Sequence, residues 1–433
     1  MNERTSEMLR DGFGGTFSRA ISPVNVSMRF LRFVPLAILG SHVMLAQARV
    51  FTGLTLIDGT GRDPIPNAAI VVRDGRIEAA GRLTDISIPV GAERVSLAGK
   101  WAIPGLMNAH GHVTSVANLR TYSMYGITTV FSLGDEPPAI FAARDSQRTP
   151  ALTRSRVFVA GPVLAPKSTD EARTLVRANR DMHAEIVKIR VDDNLGTTQK
   201  MSPEIYRAVI DEAHRLGARV AVHLFYLSDA KAVLAAGADE IAHSVRDSLV
   251  DPQFIAAIKQ SGICLVPTLM REVSTFVYET TPDFFSDSLF LAYADMSAVN
   301  RLKEPARQQA MRDSPAAQRY KITLQIASQN LKRLSDAGVP IAMGTDTGPA
   351  GRFQGYFELM ELELMVRAGL TPKQALASAT RDAARCIHHD RELGTIETGK
   401  WSDFVVLDAN PLENISNVRR ISSVWIAGNQ VAR

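Results

Sequence analysis

The stretch GLMNAHGHV, residues 105–113, sets His110 and His112 two positions apart. In an extended strand positions i and i+2 face the same side, so both imidazoles converge on one point. Two convergent neutral imidazoles are half of a metal site. A His-x-His pair also arises by chance in a long chain, so the reading depends on further ligands. The chain has nine histidines. Four of them, His110, His112, His223 and His243, close short apolar runs, as does Asp346 in PIAMGTD. Lys188 lies inside a fifth such run, EIVKIRV, where Ile186, Lys188 and Arg190 alternate with Val187, Ile189 and Val191. A lysine in a buried strand is costly unless its charge is paired or removed. A carboxylate partner would pair it. Reaction of the neutral amine with carbon dioxide would remove it, giving a carbamate anion able to bridge two cations.

The elements that must position these groups follow from the apolar pattern. Eight runs of about six residues, AIPGLMNAH, ITTVFSLG, RVFVAG, IVKIRV, RVAVHL, EIAHSV, CLVPTL and PIAMGTD, alternate with amphipathic segments such as SPEIYRAVIDEAHRLG. Glycines close several of those segments, as helix C-termini prefer. This is the pattern of an α/β protein, a (β/α)8 TIM barrel, whose catalytic groups gather at the C-terminal strand ends. A doubly wound sheet is the runner-up, but no Gly-rich phosphate loop follows the first strand. Short strands with an Asp74–Gly75 turn before the barrel, and similar texture after it, predict a small β-sandwich built from both flanks. The expected units are residues 49–103 and 390–433 for the two parts of the sandwich and 104–389 for the barrel. An insertion at residues 271–320, rich in Phe, Tyr and Met, is expected to pack on the barrel flank rather than serve as a lid. Glu361, Glu363, His183, His214, His388 and His389 are expected at the surface.

The whole chain, 433 residues with 45% hydrophobic and 22% charged residues and a net charge of +4, has globular composition. It carries no basic block, so nucleic-acid binding has no support. Residues 1–48 form a leader. Within it, residues 28–48 carry two arginines, an apolar run and a terminal AQA, the layout of a secretory signal peptide. Cleavage after Ala48 would give an exported, periplasmic or secreted protein starting at Arg49, with no stable membrane span. Either Met1 or Met28 could be the true start. Cys264 and Cys386 form no metal motif. Cys264 reads as a core residue; a disulfide between the two is open in principle, but nothing in the sequence argues for it.

Taken together, HGH after IPGLMNA, the VKI lysine, VH at 222–223, AHS at 242–244 and GTD at 344–346 resemble the amidohydrolase superfamily, in its imidazolonepropionase-like branch with the binuclear dipeptidases and prolidases. The resemblance implies that His110, His112 and Asp346 hold one divalent metal ion and His223 and His243 a second. Carboxylated Lys188 would bridge the two, and zinc is the best match to the donors. It implies hydrolysis of an amide bond, in a dipeptide or N-acyl amino acid, by a metal-bridging hydroxide, with Asp346 shuttling the proton. The same chemistry would serve a lactonase or phosphotriesterase, and a barrel that only binds is a further alternative. The text HLFYLSD after the fifth run departs from the HAHG or HAYT common among relatives, so Phe225 and Tyr226 reshape the pocket. Arg190, Tyr226 and Arg352 are the candidate substrate contacts. Arg190 could grip a substrate carboxylate or pair with Asp192 or Asp193. The expected partner is a small-molecule substrate, and the reading is compatible with a homo-oligomer.

Overall fold

A computed structural model describes residues 47–432. The leader expected at residues 1–48 lies outside the described residues except for Gln47 and Ala48. Five strands come first: β1 (Arg49–Leu56), β2 (Ile65–Arg73), β3 (Arg76–Arg82), β4 (Glu93–Ser96) and β5 (Trp101–Pro104). The β2–β3 hairpin turns on Asp74 and Gly75, both at positive φ (51° and 74°), the geometry that favours Asp-Gly in a two-residue turn. Eight parallel strands follow: β6 (Leu106–Gly111), β7 (Ile127–Ser132), β8 (Arg156–Val159), β9 (Val163–Leu164), β10 (Val187–Arg190), β11 (Val220–His223), β12 (Glu240–Ala242) and β13 (Cys264–Val266). The chain ends with β14 (Phe404–Leu407), β15 (Ile421–Ile426) and β16 (Asn429–Gln430).

Both flanks join one eight-stranded sheet, ordered β16-β15-β14-β5-β1-β2-β3 with β4 on β1. Its apolar face packs Phe51, Phe404 and Trp425 around Leu54, Ile70 and Val406. Between the flanks run a three-stranded sheet, β6-β7-β8, and a five-stranded one, β9 to β13. Val187, Ile189, Val220 and Val222 pack outward against helices such as Pro203–Arg215, so these strands are covered on their outer face.

The eighth apolar run does not form a regular strand. Residues 340–347 make only single parallel bridges, Leu265 with Ile341 and Gly111 with Thr347. The segment hydrogen-bonds to both sheets: the Ala342 N–H reaches Leu265 O at 3.0 Å, and the Ala109 N–H reaches Met343 O at 2.8 Å. Gly344 permits this close approach, because a Cβ there would stand 2.4 Å from Val266 and 2.9 Å from His110. Among the described residues no helix is long and apolar enough to cross a membrane.

The disulfide left open by the sequence is present: Cys264 and Cys386 are joined, with Cα atoms 5.7 Å apart, tying the start of β13 to the helix Arg381–Cys386, and two expectations of surface exposure are corrected. Neither run carries a spacing signal because the pairing is set by tertiary packing across 122 residues. Glu361 is fully buried and accepts the backbone N–H groups of Leu269 and Met270, and Glu363 is half-buried against Arg419. His389 stacks on Phe158 with ring centroids 3.7 Å apart, so it is a packed ring rather than a solvated one. The aromatic residues of the insertion, Phe284, Phe285 and Phe290, pack on Phe353, Tyr356 and Phe357.

Candidate metal centre

The register explains how the ligand candidates meet. Lys188 pairs with Ala221, and Ala221 with Glu240, so Lys188 and Glu240 share the inner face across one intervening strand. One step nearer the C-terminal ends, Arg190 pairs with His223, and His223 with Ala242, the residue before His243. His110 is the penultimate residue of β6, and the segment beside it carries Asp346, whose N–H reaches His110 O at 2.6 Å. His110, His112, Lys188, His223, His243 and Asp346 therefore come from β6 and the residue after it, β10, β11, the residue after β12, and residues 340–347.

His110, His243 and Asp346 are buried, and their donor atoms lie within 4.8 Å of one another, close enough to hold one ion. Around them, Asp346 Oδ1 lies 2.8 Å from His112 Nε2 and 3.5 Å from His110 Nε2. His223 Nδ1 and His243 Nε2 face each other 2.7 Å apart. The His110 and His243 rings lie with centroids 4.6 Å apart.

Protonation follows from burial. Desolvation lowers the pKa of His110 and His243 well below the usual imidazole range and takes His223 to about 3, so these rings present lone pairs. Burial also disfavours the charge on Asp346, but Arg352 and His112 outweigh it and hold the carboxyl well below its usual range. Burial lowers Lys188 to about 8, against the opposing charges of Glu240 and Asp346. Lys188 Nζ has no hydrogen-bond partner, nor has His110 Nδ1 or either oxygen of Glu240. Three neutral imidazoles, a carboxylate and an unpartnered amine form a donor set that suits a divalent cation, and the orphaned Lys188 nitrogen fits an adduct that would extend toward it.

Neighbouring groups hold the ligands in place. Asp192 Oδ2 accepts from His223 Nε2 at 3.1 Å, and Thr268 Oγ1 lies 2.7 Å from His243 Nδ1. Glu358 accepts from Asn108, Thr345 and Thr347, bracing the segment that carries Asp346. His243, Thr268 and Asp346 all have positive φ (79°, 52° and 58°). Such non-glycine conformations cost about 1–3 kcal/mol each and persist where surrounding contacts over-determine them.

The candidate substrate contacts are placed as follows. Arg190 Nε donates to Asp192 at 2.7 Å, while its Nη2 is buried without a partner. The Tyr226 hydroxyl donates to Asp193 at 2.8 Å, and Lys200 Nζ sits 4.0 Å from the centre of its ring. Arg352 donates to Asp346 and, at 3.1 Å, to Ser274 in the insertion. The insertion thus touches the centre's rim as well as the flank. The reading from sequence missed Thr268, Glu240, Arg271 and Glu358. Glu240 was within reach, since its inner face follows from the same alternation that singled out Lys188. A cavity of about 920 Å³ lies at the opposite strand ends beside Arg219, Cys264 and Cys386 and holds none of these ligands.

The amidohydrolase family model matches residues 101–431. The ochratoxinase of Aspergillus niger is 29% identical over 282 residues, 62% of this chain and 51% of that protein, so this chain spans about half of its length. An imidazolonepropionase of Methylobacterium nodulans is 24% identical over 79% of this chain and 88% of its own. A solved Bifidobacterium longum protein carrying a provisional prolidase assignment is 28% identical, with a TM-score of 0.74 over 90% of this chain and 95% of its own.

Proposed function

The chain belongs to the amidohydrolase family, and from that premise we propose that it is a metal-dependent hydrolase of amide carbon–nitrogen bonds. Its substrates are dipeptides or N-acyl amino acids. The observation that carries the reading is the gathering of His110, His112, His223, His243 and Asp346 at the strand ends, with Lys188 buried and unpartnered on the inner face of the strand beside His223. The names of the prolidase and ochratoxinase relatives agree with a hydrolase. With β8 and β9, three residues apart, counted as one broken strand, the parallel strands are read as one (β/α)8 barrel closed by residues 340–347, and the joined flanks as its accessory β-sandwich.

His110, His112 and Asp346 would hold one divalent ion, His223 and His243 the other, with Lys188 bridging both as its carbamate. Bound, such ions supply Lewis acidity, polarising a carbonyl and making water acidic near neutral pH. The protein does the rest. Burial lowers Lys188 toward the range in which its amine is neutral and can take up carbon dioxide. Asp192 and Thr268 fix the ring orientations of His223 and His243. Asp346, ionised and held by Arg352, accepts a proton at a carboxylate oxygen and returns it to the leaving nitrogen.

Export is part of the same reading. The Cys264–Cys386 disulfide supports an oxidising compartment, as does the layout of residues 28–48. A screen of metal-replete protein against dipeptides, N-acyl amino acids, lactones and phosphotriesters tests the activity. Release of a free amine is expected. Turnover confined to lactones or phosphotriesters, or no turnover at all, would replace the amide reading.

A further inference from the structure

Three loops at the C-terminal strand ends bring together a cluster that the ligand set does not explain. Arg246 follows β12, Arg271 and Glu272 lie in the helix Leu269–Ser274 after β13, and all three are buried. Arg246 is held by Leu224 O at 2.8 Å and Ser244 O at 2.7 Å, and its guanidinium lies 4.7 Å over the Phe225 ring. Glu272 Oε1 stands 3.0 Å from both Arg246 Nε and Arg271 Nη1. One carboxylate is therefore shared between two arginines, which fixes the plane of the Arg271 guanidinium.

The free edge of that guanidinium faces the candidate metal centre. Arg271 Nε is buried without a hydrogen-bond partner and stands 3.7 Å from Asp346 Oδ2. Nη2, on the same edge, has only a 3.5 Å contact to the Tyr320 hydroxyl. Nε and Nη2 together form the fork that binds a carboxylate through two parallel hydrogen bonds.

Resting on the amide-hydrolase reading, we infer that Arg271, oriented by Glu272 and Arg246, grips the free carboxylate of the substrate's C-terminal residue beside the scissile amide. Arg190 is the competing candidate, but its side chain is 40% exposed where that of Arg271 is 8%. Its Nε is also committed to Asp192, the partner of His223. A desolvated donor loses less to water and discriminates more strongly. The selected class is therefore dipeptides and N-acyl amino acids with a free carboxylate, and their C-terminal amides are excluded.

The test is equilibrium binding, by calorimetry on full-length metal-replete protein, of L-leucine, which keeps the product's free carboxylate and has no acyl bond to cleave, against L-leucinamide. The acid is expected to bind at least tenfold tighter than the amide. Arg271→Met should abolish that preference, and Arg190→Met should keep it. Arg271→Lys retains the charge without the fork and serves if the methionine variant does not fold; it should cut the preference at least threefold. No preference in the unaltered protein, or a preference that survives both Arg271 changes, or one that follows Arg190, overturns the inference. Loss of all amide hydrolysis in the substrate screen with the binding preference intact would instead sink the functional reading and leave Arg271 as an anion reader.

Discussion

Asp192 Oδ2 sits 3.1 Å from His223 Nε2, and this contact leaves His223 Nδ1 directed at His243. An ionised carboxylate can only accept, so Nε2 carries the proton and Nδ1 offers its lone pair. Asp192 stays ionised, because its burial is outweighed by His223 and Arg190. Asp192→Asn should therefore weaken metal binding by about 10- to 100-fold while leaving the six candidate ligands in place. Competition with a chelator of known affinity measures it. Unaltered affinity would show that Asp192 does not set the tautomer.

Lys188 has no hydrogen-bond partner in a fully buried position. Lys188→Ala should retain the fold, judged by circular dichroism and thermal melting, yet lose more than 99% of activity. Short carboxylic acids, which can occupy the space of the missing carbamate, should restore part of it. Wild-type rate and metal content in Lys188→Ala would remove the carbamate from the account.

The disulfide closes a loop of 122 residues between β13 and the helix Arg381–Cys386. Replacing both cysteines with serine should lower unfolding free energy by about 2–4 kcal/mol. The centre lies at the other strand ends, so kcat should stay within twofold. Urea unfolding and steady-state assays test the two halves. A collapse of kcat with stability unchanged would contradict this division.

Processing is expected after Ala48, leaving Arg49 at the start of β1, where it pairs with Glu93 across the β1–β4 register. N-terminal sequencing of protein recovered from its native compartment checks this. Recovery of intact cytoplasmic chain from Met1 would count against export.

The parts legible in the sequence are those governed by local rules. Alternation along EIVKIRV put Lys188 on an inner face, and β10 pairs accordingly with β11. The helix expected in SPEIYRAVIDEAHRLG is Pro203–Arg215, started by its proline and ended two residues before Gly217. What escaped depends on distant partners. Glu361 looks like helix surface in ELMELELMV until the chain folds and Leu269 and Met270 present bare N–H groups to it. Thr268 gains its role only where β12 and the loop after β13 meet. Arg271 is one arginine among many until Glu272 and Arg246 fix it. Residues 340–347 read as a strand, but they bridge two sheets at single points rather than forming a ladder.

The central claim is that the strand-end groups form a binuclear centre. Elemental analysis of purified full-length protein, never exposed to chelator, measures it most directly. The account predicts close to two divalent metal ions per chain, falling with Lys188→Ala. A fully active protein holding one ion or none would contradict it.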